Sequence, residues 1–451
     1  MIRSALLPWA AYMAMATASA LTPPLSVRRL YDTNAVSLPT HDPFYLVPND
    51  VATVTPGTIL KRRKPSSPLV TAGEDEYAEH VHQILYRTTD EDGSATATVL
   101  TVLIPKNADR NKVVSFQSAS HAVTIDCAAS FTFFNASMSY PDLISPSSQT
   151  QLLFAEGALS RGWIVLVPDY NGPQSTPFNT KLMEQSILDG IRAGINSRLF
   201  NDNATIALWG YSGGGTATLR AVQAQPSYAP ELQLAGAAIG GAPMLDPDLV
   251  RSLFANKTPF AGFIPILILG YAATRPWLRR LMDANLKPEY RQRFYLAQHQ
   301  CMDQVLRTLQ DVDILSWFKD PTFLLSVPSP SDRSATRKIP AAIPIYWYRL
   351  ATDPLLALEG IDRRLEAFCS DGARITQVME TADGATHRSF GILGAPGALR
   401  WLEGILDDRS RPAGGCSNTE AQTTELDPGF LRLFSNETQL KLLDVLAHDF
   451  I

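Results

Sequence analysis

One stretch, Gly210-Tyr211-Ser212-Gly213-Gly214, limits the folds open to this chain more than any other feature. Just before it, Ala204 to Trp209 is a short apolar run of the kind that forms a buried strand. Just after it, Thr216 to Gln225 reads as a helix. A serine held between a strand end and a helix start needs a sharp, strained turn. Neighbours two places away must then lack bulky side chains, and Gly210 and Gly214 meet that need. Such a turn pushes the serine Oγ out to where a base can reach it. It also aims the Gly213 amide, with the partial positive charge of the helix N-terminus, at the same space. Gly210, Tyr211, Gly213 and Gly214 therefore read as a nucleophile elbow around Ser212. The competing reading is a plain Gly-rich strand-to-helix turn.

The rest of the chain repeats the strand-and-helix rhythm. Strands are expected at 95–105, 112–117, 162–168, 204–209, 233–239, 342–348 and 375–379, and helices at 185–195, 216–225 and 361–368. Several of these strands are continuous in apolar residues, as parallel strands covered on both faces tend to be. The pattern predicts an α/β fold with a mainly parallel central sheet and helices on both faces. The rhythm stops between Pro243 and Arg337, where the apolar segments Leu249 to Phe254, Phe260 to Tyr271, Trp277 to Met282 and Tyr295 to Trp317 show no clear strand. This reads as an all-helical insertion at about 244–337 lying over the carboxyl ends of the strands, because strands resume at Ile343. A separate helical domain is the alternative. The basic run Lys61 to Lys64 reads as a solvated face rather than a processing site.

A serine hydroxyl is a weak nucleophile until a histidine takes its proton, and an acid must hold that histidine in the right tautomer. In this kind of fold the chain order is serine, acid, histidine. His299, His387 and His448 follow Ser212. His299 lies in the insertion and His448 near the end, whereas His387 sits in a loop after a late strand, where such a base belongs. Asp353 follows the strand that ends at Tyr348 and is the expected acid. Of its rivals, Asp362 lies in a helical pattern beside Arg363 and Arg364 and suits an ion pair, and Asp371 looks like a turn residue. Chemistry of this type needs no metal and no organic cofactor.

The N-terminus reads as a secretory leader. Arg3 precedes a mostly apolar stretch from Leu6 to Ala18, and Ala18-Ser19-Ala20 fits cleavage after Ala20. The stretch is shorter than the ~20 residues a membrane span needs. Pro259 to Ala273, the next most apolar run, is also too short and carries two prolines and two glycines. Residues 21–451 then form one catalytic unit interrupted by the insertion. Four cysteines, Cys127, Cys301, Cys369 and Cys416, suit two disulfides in an exported chain, with three pairings open. None has metal-ligand spacing. Asn135, Asn203, Asn256 and Asn436 are N-glycosylation acceptors by pattern. A net charge of −5 does not suggest a nucleic-acid partner, which would need a basic face.

Beyond the elbow, Ala217-Thr218, Tyr228-Ala229-Pro230-Glu231-Leu232, Gly240-Gly241-Ala242-Pro243, Gly162 to Asp169, Leu188 to Ala193 and Asp126-Cys127-Ala128 form an ordered set of blocks. With them the chain resembles, from about Phe44 to Cys416, the fungal secretory lipases typified by Candida antarctica lipase A. The resemblance implies an α/β-hydrolase fold, a helical cap with a lid, and an ester or lipid substrate. It also implies an oxyanion hole from Asp169 and Gly213, and the bridges Cys127–Cys301 and Cys369–Cys416. The Gly-rich motif that many lipases carry after the strand ending at Gln117 is absent. The acid's turn also departs from the family, reading Asp353-Pro354-Leu355-Leu356-Ala357. Carboxylic ester hydrolysis is the expected activity, with Phe260 to Tyr271 as an acyl tunnel or lid. An acyltransferase or peptidase on the same triad, and a non-catalytic binding protein, are the rival readings.

Overall fold

The computed structural model describes residues 36–70, 77–244, 255–326, 337–353, 355–382, 384–407, 414–422, 428–432, 436, 439 and 440. The expected leader at 1–20, His448 and the expected helix at Leu249 to Phe254 lie outside the described residues. The strands are β1 (Ile59–Arg63), β2 (Ala78–Thr89), β3 (Ala95–Pro105), β4 (Asp109–Gln117), β5 (Trp163–Pro168), β6 (Thr205–Tyr211), β7 (Leu234–Gly240), β8 (Ile345–Leu350), β9 (Ile375–Thr381) and β10 (Ser417–Gln422). They form one sheet in the order β1-β2-β3-β5-β4-β6-β7-β8-β9-β10. From β5 to β10 every pairing is parallel, while β1, β2, β3 and β5 pair antiparallel.

The sheet lies between two apolar layers, and the strands feed them alternately. On β5, Ile164 and Leu166 enter one layer, while Trp163, Val165 and Val167 enter the other. On β6, Ile206 and Leu208 face the first and Ala207, Trp209 and Tyr211 the second. Burying each such Val, Leu or Ile side chain contributes roughly 1.5–3 kcal/mol, so both strands are fixed in register. Helix α1 (Pro146–Leu159) covers the second layer, and α2 (Thr180–Asn196) and α3 (Gly213–Tyr228) cover the first.

The chain leaves the sheet after β7 and returns at β8. Between them, α4 (Phe263–Thr274), α5 (Pro276–Asn285) and α6 (Met302–Leu309) enclose a separate apolar cluster that includes Ile266, Leu278, Phe294, Leu309 and Trp317. No strand occurs among the described residues 255–326. Helix α7 (Leu358–Ser370) then packs on the first layer, and α8 (His387–Leu406) on the second.

Three strands and two helices were not expected. Strand β1 carries Lys61, Arg62 and Arg63 at the sheet edge, where charge discourages pairing with other chains. Arg63 there bonds Asp42 and lies 4.0 Å from the Phe44 ring centroid. Strand β10, at the other edge, is almost wholly exposed and therefore polar. Helix α8 hides behind Gly391, Gly394, Gly397 and Pro396, poor helix formers. Its glycines let it approach the sheet: a Cβ on Gly394 would lie 2.8 Å from the Tyr348 ring.

Disulfides join Cys127 to Cys301 and Cys369 to Cys416. The first ties the segment after β4 to the start of α6. The acceptor asparagines divide. Asn135, Asn203 and Asn436 are exposed. Asn256 donates from Nδ2 to Asp313 (2.6 Å) and accepts from the Leu315 amide (3.2 Å), so its carboxamide is already committed to a turn.

Candidate active site

Ser212 follows the last residue of β6 and precedes the first of α3, with φ +56° and ψ −125°. A non-glycine residue at positive φ is strained, and such strain persists only where the surroundings over-determine it. Here the Ser212 amide donates to Gly240 O (2.8 Å), and its carbonyl accepts from the Thr216 amide (3.0 Å). The flanking glycines are required. A Cβ on Gly210 would lie 2.2 Å from Gly214 O, and one on Gly214 would lie 1.8 Å from Gln117 O.

His387 brings Nε2 to 2.7 Å from Ser212 Oγ and Nδ1 to 2.7 Å from Asp353 Oδ2. The three residues follow β6, β8 and β9, Ser212 and Asp353 in turns and His387 at the start of α8. The Asp353 side chain is fully buried, and its Oδ1 accepts from the Leu355 amide at 2.9 Å. His387 does not sit in a loop as expected; it is the first residue of α8. Thr386 caps that helix in a reciprocal box with Ser389, its Oγ1 accepting from the Ser389 amide (3.1 Å) and its own amide donating to Ser389 Oγ (2.8 Å). The Tyr211 hydroxyl donates to the His387 carbonyl at 2.5 Å, which pins the helix start to the elbow. The rivals lie elsewhere. His299 is exposed in the cap, Asp362 bonds Arg349 at 2.5 Å, and Asp371 bonds Lys338 at 2.8 Å.

Asp169 does not meet Ser212, and its expected place in the oxyanion hole is corrected. The chain after β5 goes on pairing with β3, so the Asp169 amide donates to Val99 O (2.8 Å) and its carbonyl accepts from Thr98 Oγ1 (2.7 Å). Its carboxyl turns to Ser130, accepting from that residue's amide (3.1 Å) and hydroxyl (2.5 Å). Burial pushes this carboxyl up to about 7, against the two bonds from Ser130.

A histidine that precedes Ser212 in the chain lies beside the elbow instead. This is His121, in the loop after β4, which lies outside the serine, acid, histidine chain order. Its Nε2 would stand 2.2 Å from a Cβ on Gly213, so the ring lies directly against the elbow. It stacks on Phe178 (centroids 5.3 Å apart) and meets the edge of Phe263. Burial, helped by the nearby His387, holds it down at about 4, so the ring is neutral at physiological pH. Neither ring nitrogen has a hydrogen-bond partner among the described residues.

Ser212, Gly213, His387 and His121 open onto a cleft of about 1180 Å³, counting the space open to solvent at its mouth. Its wall is mostly apolar, with Phe154 from α1, Phe178, and Phe260, Phe263, Met302 and Leu306 from the cap. The segment expected as tunnel or lid therefore divides. Phe260 and Phe263 line the cleft while also packing in the cap's apolar cluster, whereas Ile266, Ile268 and Leu269 belong to that cluster and do not line the cleft. No group of three metal-ligating side chains occurs among the described residues.

Comparison with known proteins decides the family. The model of the secretory lipases matches residues 140–413. The chain belongs to the secretory lipase family. Lipase A of Arthroderma benhamiae is 32% identical over 420 residues, covering 91% of this chain and 88% of that protein. The secreted triacylglycerol lipase LIP2 of Malassezia furfur is 29% identical, covering 82% and 80% respectively. Among solved structures, Candida antarctica lipase A in its closed state superposes with a TM-score of 0.74 at 26% identity, over 91% of this chain and 96% of that one. This secretory lipase family member is thus an α/β-hydrolase and a triacylglycerol lipase-like ester hydrolase. Among the described residues, none of its helices is long and apolar enough to cross a membrane.

Proposed function

We propose that this chain is a secreted lipase that cleaves acylglycerols with Ser212 as nucleophile, His387 as base and Asp353 as the acid that orients it. The observation that carries the reading is the pair of 2.7 Å contacts on His387, one from each ring nitrogen. Ser212 Oγ attacks the ester carbonyl as its proton moves to His387 Nε2. Collapse of the tetrahedral intermediate expels the alcohol, which takes that proton, and leaves an acyl-enzyme. Water then gives a proton to His387, attacks the acyl carbon, and releases the acid while the proton returns to Ser212. Asp353 accepts from Nδ1–H throughout, which keeps Nε2 free to act as base.

The oxyanion needs donors aimed where its charge develops. The Gly213 amide is one, since the first amides of a helix have no partner within it. The neutral His121 ring is the second in this reading, with the proton on Nε2 and that edge against Gly213. Protonation would add a buried positive charge, so burial favours the neutral donor form. His121→Leu is expected to lower kcat about 10²-fold with little change in KM, and His121→Gln, which keeps an N–H donor, to recover part of the loss. An unaltered kcat in His121→Leu would remove this residue from the mechanism.

Extracellular action is supported by the family, the two disulfides and the exposed acceptors Asn135, Asn203 and Asn436. The acylglycerol substrate is proposed from the relatives' names and from the apolar cleft. A fluorophosphonate probe tests the nucleophile. One equivalent of label on Ser212, with parallel loss of tributyrin hydrolysis, is expected. An intact protein that takes up no label at Ser212 would favour a binding role. Product analysis with added alcohol separates hydrolysis from acyl transfer.

A further inference from the structure

The cleft wall carries a cation that ester hydrolysis does not use. Arg388 is the second residue of α8, next to His387, and faces the same cleft as Ser212. The residue is half-buried. Its Nε is buried without a hydrogen-bond partner, and no carboxylate pairs with its guanidinium among the described residues. Four other arginines away from the open surface are paired with carboxylates: Arg63 with Asp42, Arg192 with Asp189, Arg275 with Glu91 and Arg349 with Asp362. A buried Nε without a hydrogen bond also occurs in Arg87, Arg220 and Arg349, but none of these lines the cleft.

Two costs oppose a cation at this position. A desolvated donor is left unmet. The first turn of a helix also carries partial positive charge, which favours an anion and repels a guanidinium. Among the described residues no carboxylate or hydrogen-bond acceptor offsets either cost. Asp303 shares the cleft wall but forms no ion pair with Arg388; its carboxylate accepts from Ser145 Oγ (2.9 Å) and Ser147 Oγ (2.5 Å). The nearby wall is apolar, so an anion there would meet a single cation in a medium that screens charge poorly. An oxyanion on the substrate would meet Nε, satisfy the orphaned donor and offset the dipole at once.

We propose that Arg388 is an anion subsite, and that the preferred substrates are esters bearing a carboxylate or phosphate close to the scissile bond. The planar guanidinium fork matches either group in a two-point contact. The proposal rests on the hydrolase reading above, because it places the subsite beside the proposed base.

Two measurements test it. The first compares kcat/KM for mono-p-nitrophenyl succinate with that for p-nitrophenyl butyrate, and for a monoacylglycerol phosphate with the matching monoacylglycerol, in the native protein, Arg388→Gln and Arg388→Lys. The anionic-to-neutral ratio should fall about 10-fold or more in Arg388→Gln for at least one pair, and less in Arg388→Lys, as loss of a charge-assisted two-point contact requires. The pair that responds identifies carboxylate or phosphate as the natural group. The second uses Ser212→Ala, which cannot turn over, and titrates it with monobutyl succinate and with dibutyl succinate. The anion should bind more tightly, and the added Arg388→Gln change should abolish the difference. A ratio unchanged by Arg388→Gln in both pairs, or equal binding with and without Arg388, overturns the subsite. A native protein that cleaves none of the four esters yet shows Arg388-dependent binding would sink the hydrolase reading and leave the anion subsite standing.

Discussion

Ser212→Gly is expected to lower kcat on p-nitrophenyl butyrate by about 10⁵- to 10⁶-fold, the scale on which a hydrolase loses activity with its nucleophile. The same change should leave the protein about 1 kcal/mol more stable than Ser212→Ala, because strain at a positive-φ position costs about 1–3 kcal/mol and glycine relieves it at some cost in chain entropy. The stability gain follows from φ +56° and ψ −125° at this residue. Alanine removes Oγ but keeps the Cβ that the backbone disfavours. Glycine removes both. The two variants therefore separate chemistry from strain: equal loss of kcat, unequal midpoints in urea. Equal midpoints would mean that the elbow stores no strain, and that its geometry is held only by contacts such as the Ser212 amide to Gly240 O.

The elbow was legible because a turn so tight leaves little choice of residue. Gly210 and Gly214 answer to backbone oxygens about 2 Å from any Cβ, and no tertiary context removes that demand. Strands β5 and β6 were legible for a related reason. Covered on both faces, they admit only apolar residues, so the sequence is continuous where the sheet is deepest. The segments that bring Asp353 and His387 to Ser212 could be chosen because each follows a strand, and parallel strands deliver their carboxyl ends to one edge. Asp169 also follows a parallel strand, which shows where that rule fails. Its neighbour on one side is the antiparallel β3, and pairing with Thr98 and Val99 consumes both of its backbone groups. Chain order could not reveal His121 either, since a group that lies against Gly213 from a loop earlier in the chain needs no position after the serine. The long helix α8 was obscured by its glycines and proline, chosen for close approach to Tyr348 and Tyr346 rather than for helix propensity. The pairing of the four cysteines needed the cap to fold back over the segment after β4.

Asp353→Asn is expected to lower kcat about 10⁴-fold while KM changes little, because the residue orients the base and does not line the cleft. The hydrogen bonds around the carboxyl set the direction of the effect. Oδ1 accepts from the Leu355 amide at 2.9 Å, and Oδ2 meets His387 Nδ1 at 2.7 Å. An asparagine must keep its carbonyl oxygen toward Leu355, since only the oxygen can accept that N–H. Its NH₂ group then points at Nδ1 and donates. Nδ1 becomes an acceptor, the ring proton moves to Nε2, and Nε2 faces Ser212 Oγ with no lone pair to take its proton. Asp353→Ala imposes no tautomer, so it should retain more activity than Asp353→Asn although it removes more of the side chain. That inversion is the diagnostic result, read from steady-state kinetics on p-nitrophenyl butyrate with folding checked by circular dichroism. Activity in Asp353→Asn above a tenth of the native value would mean that another acid serves His387. Neither Asp362, bound to Arg349, nor Asp371, bound to Lys338, is free to do so without breaking an ion pair.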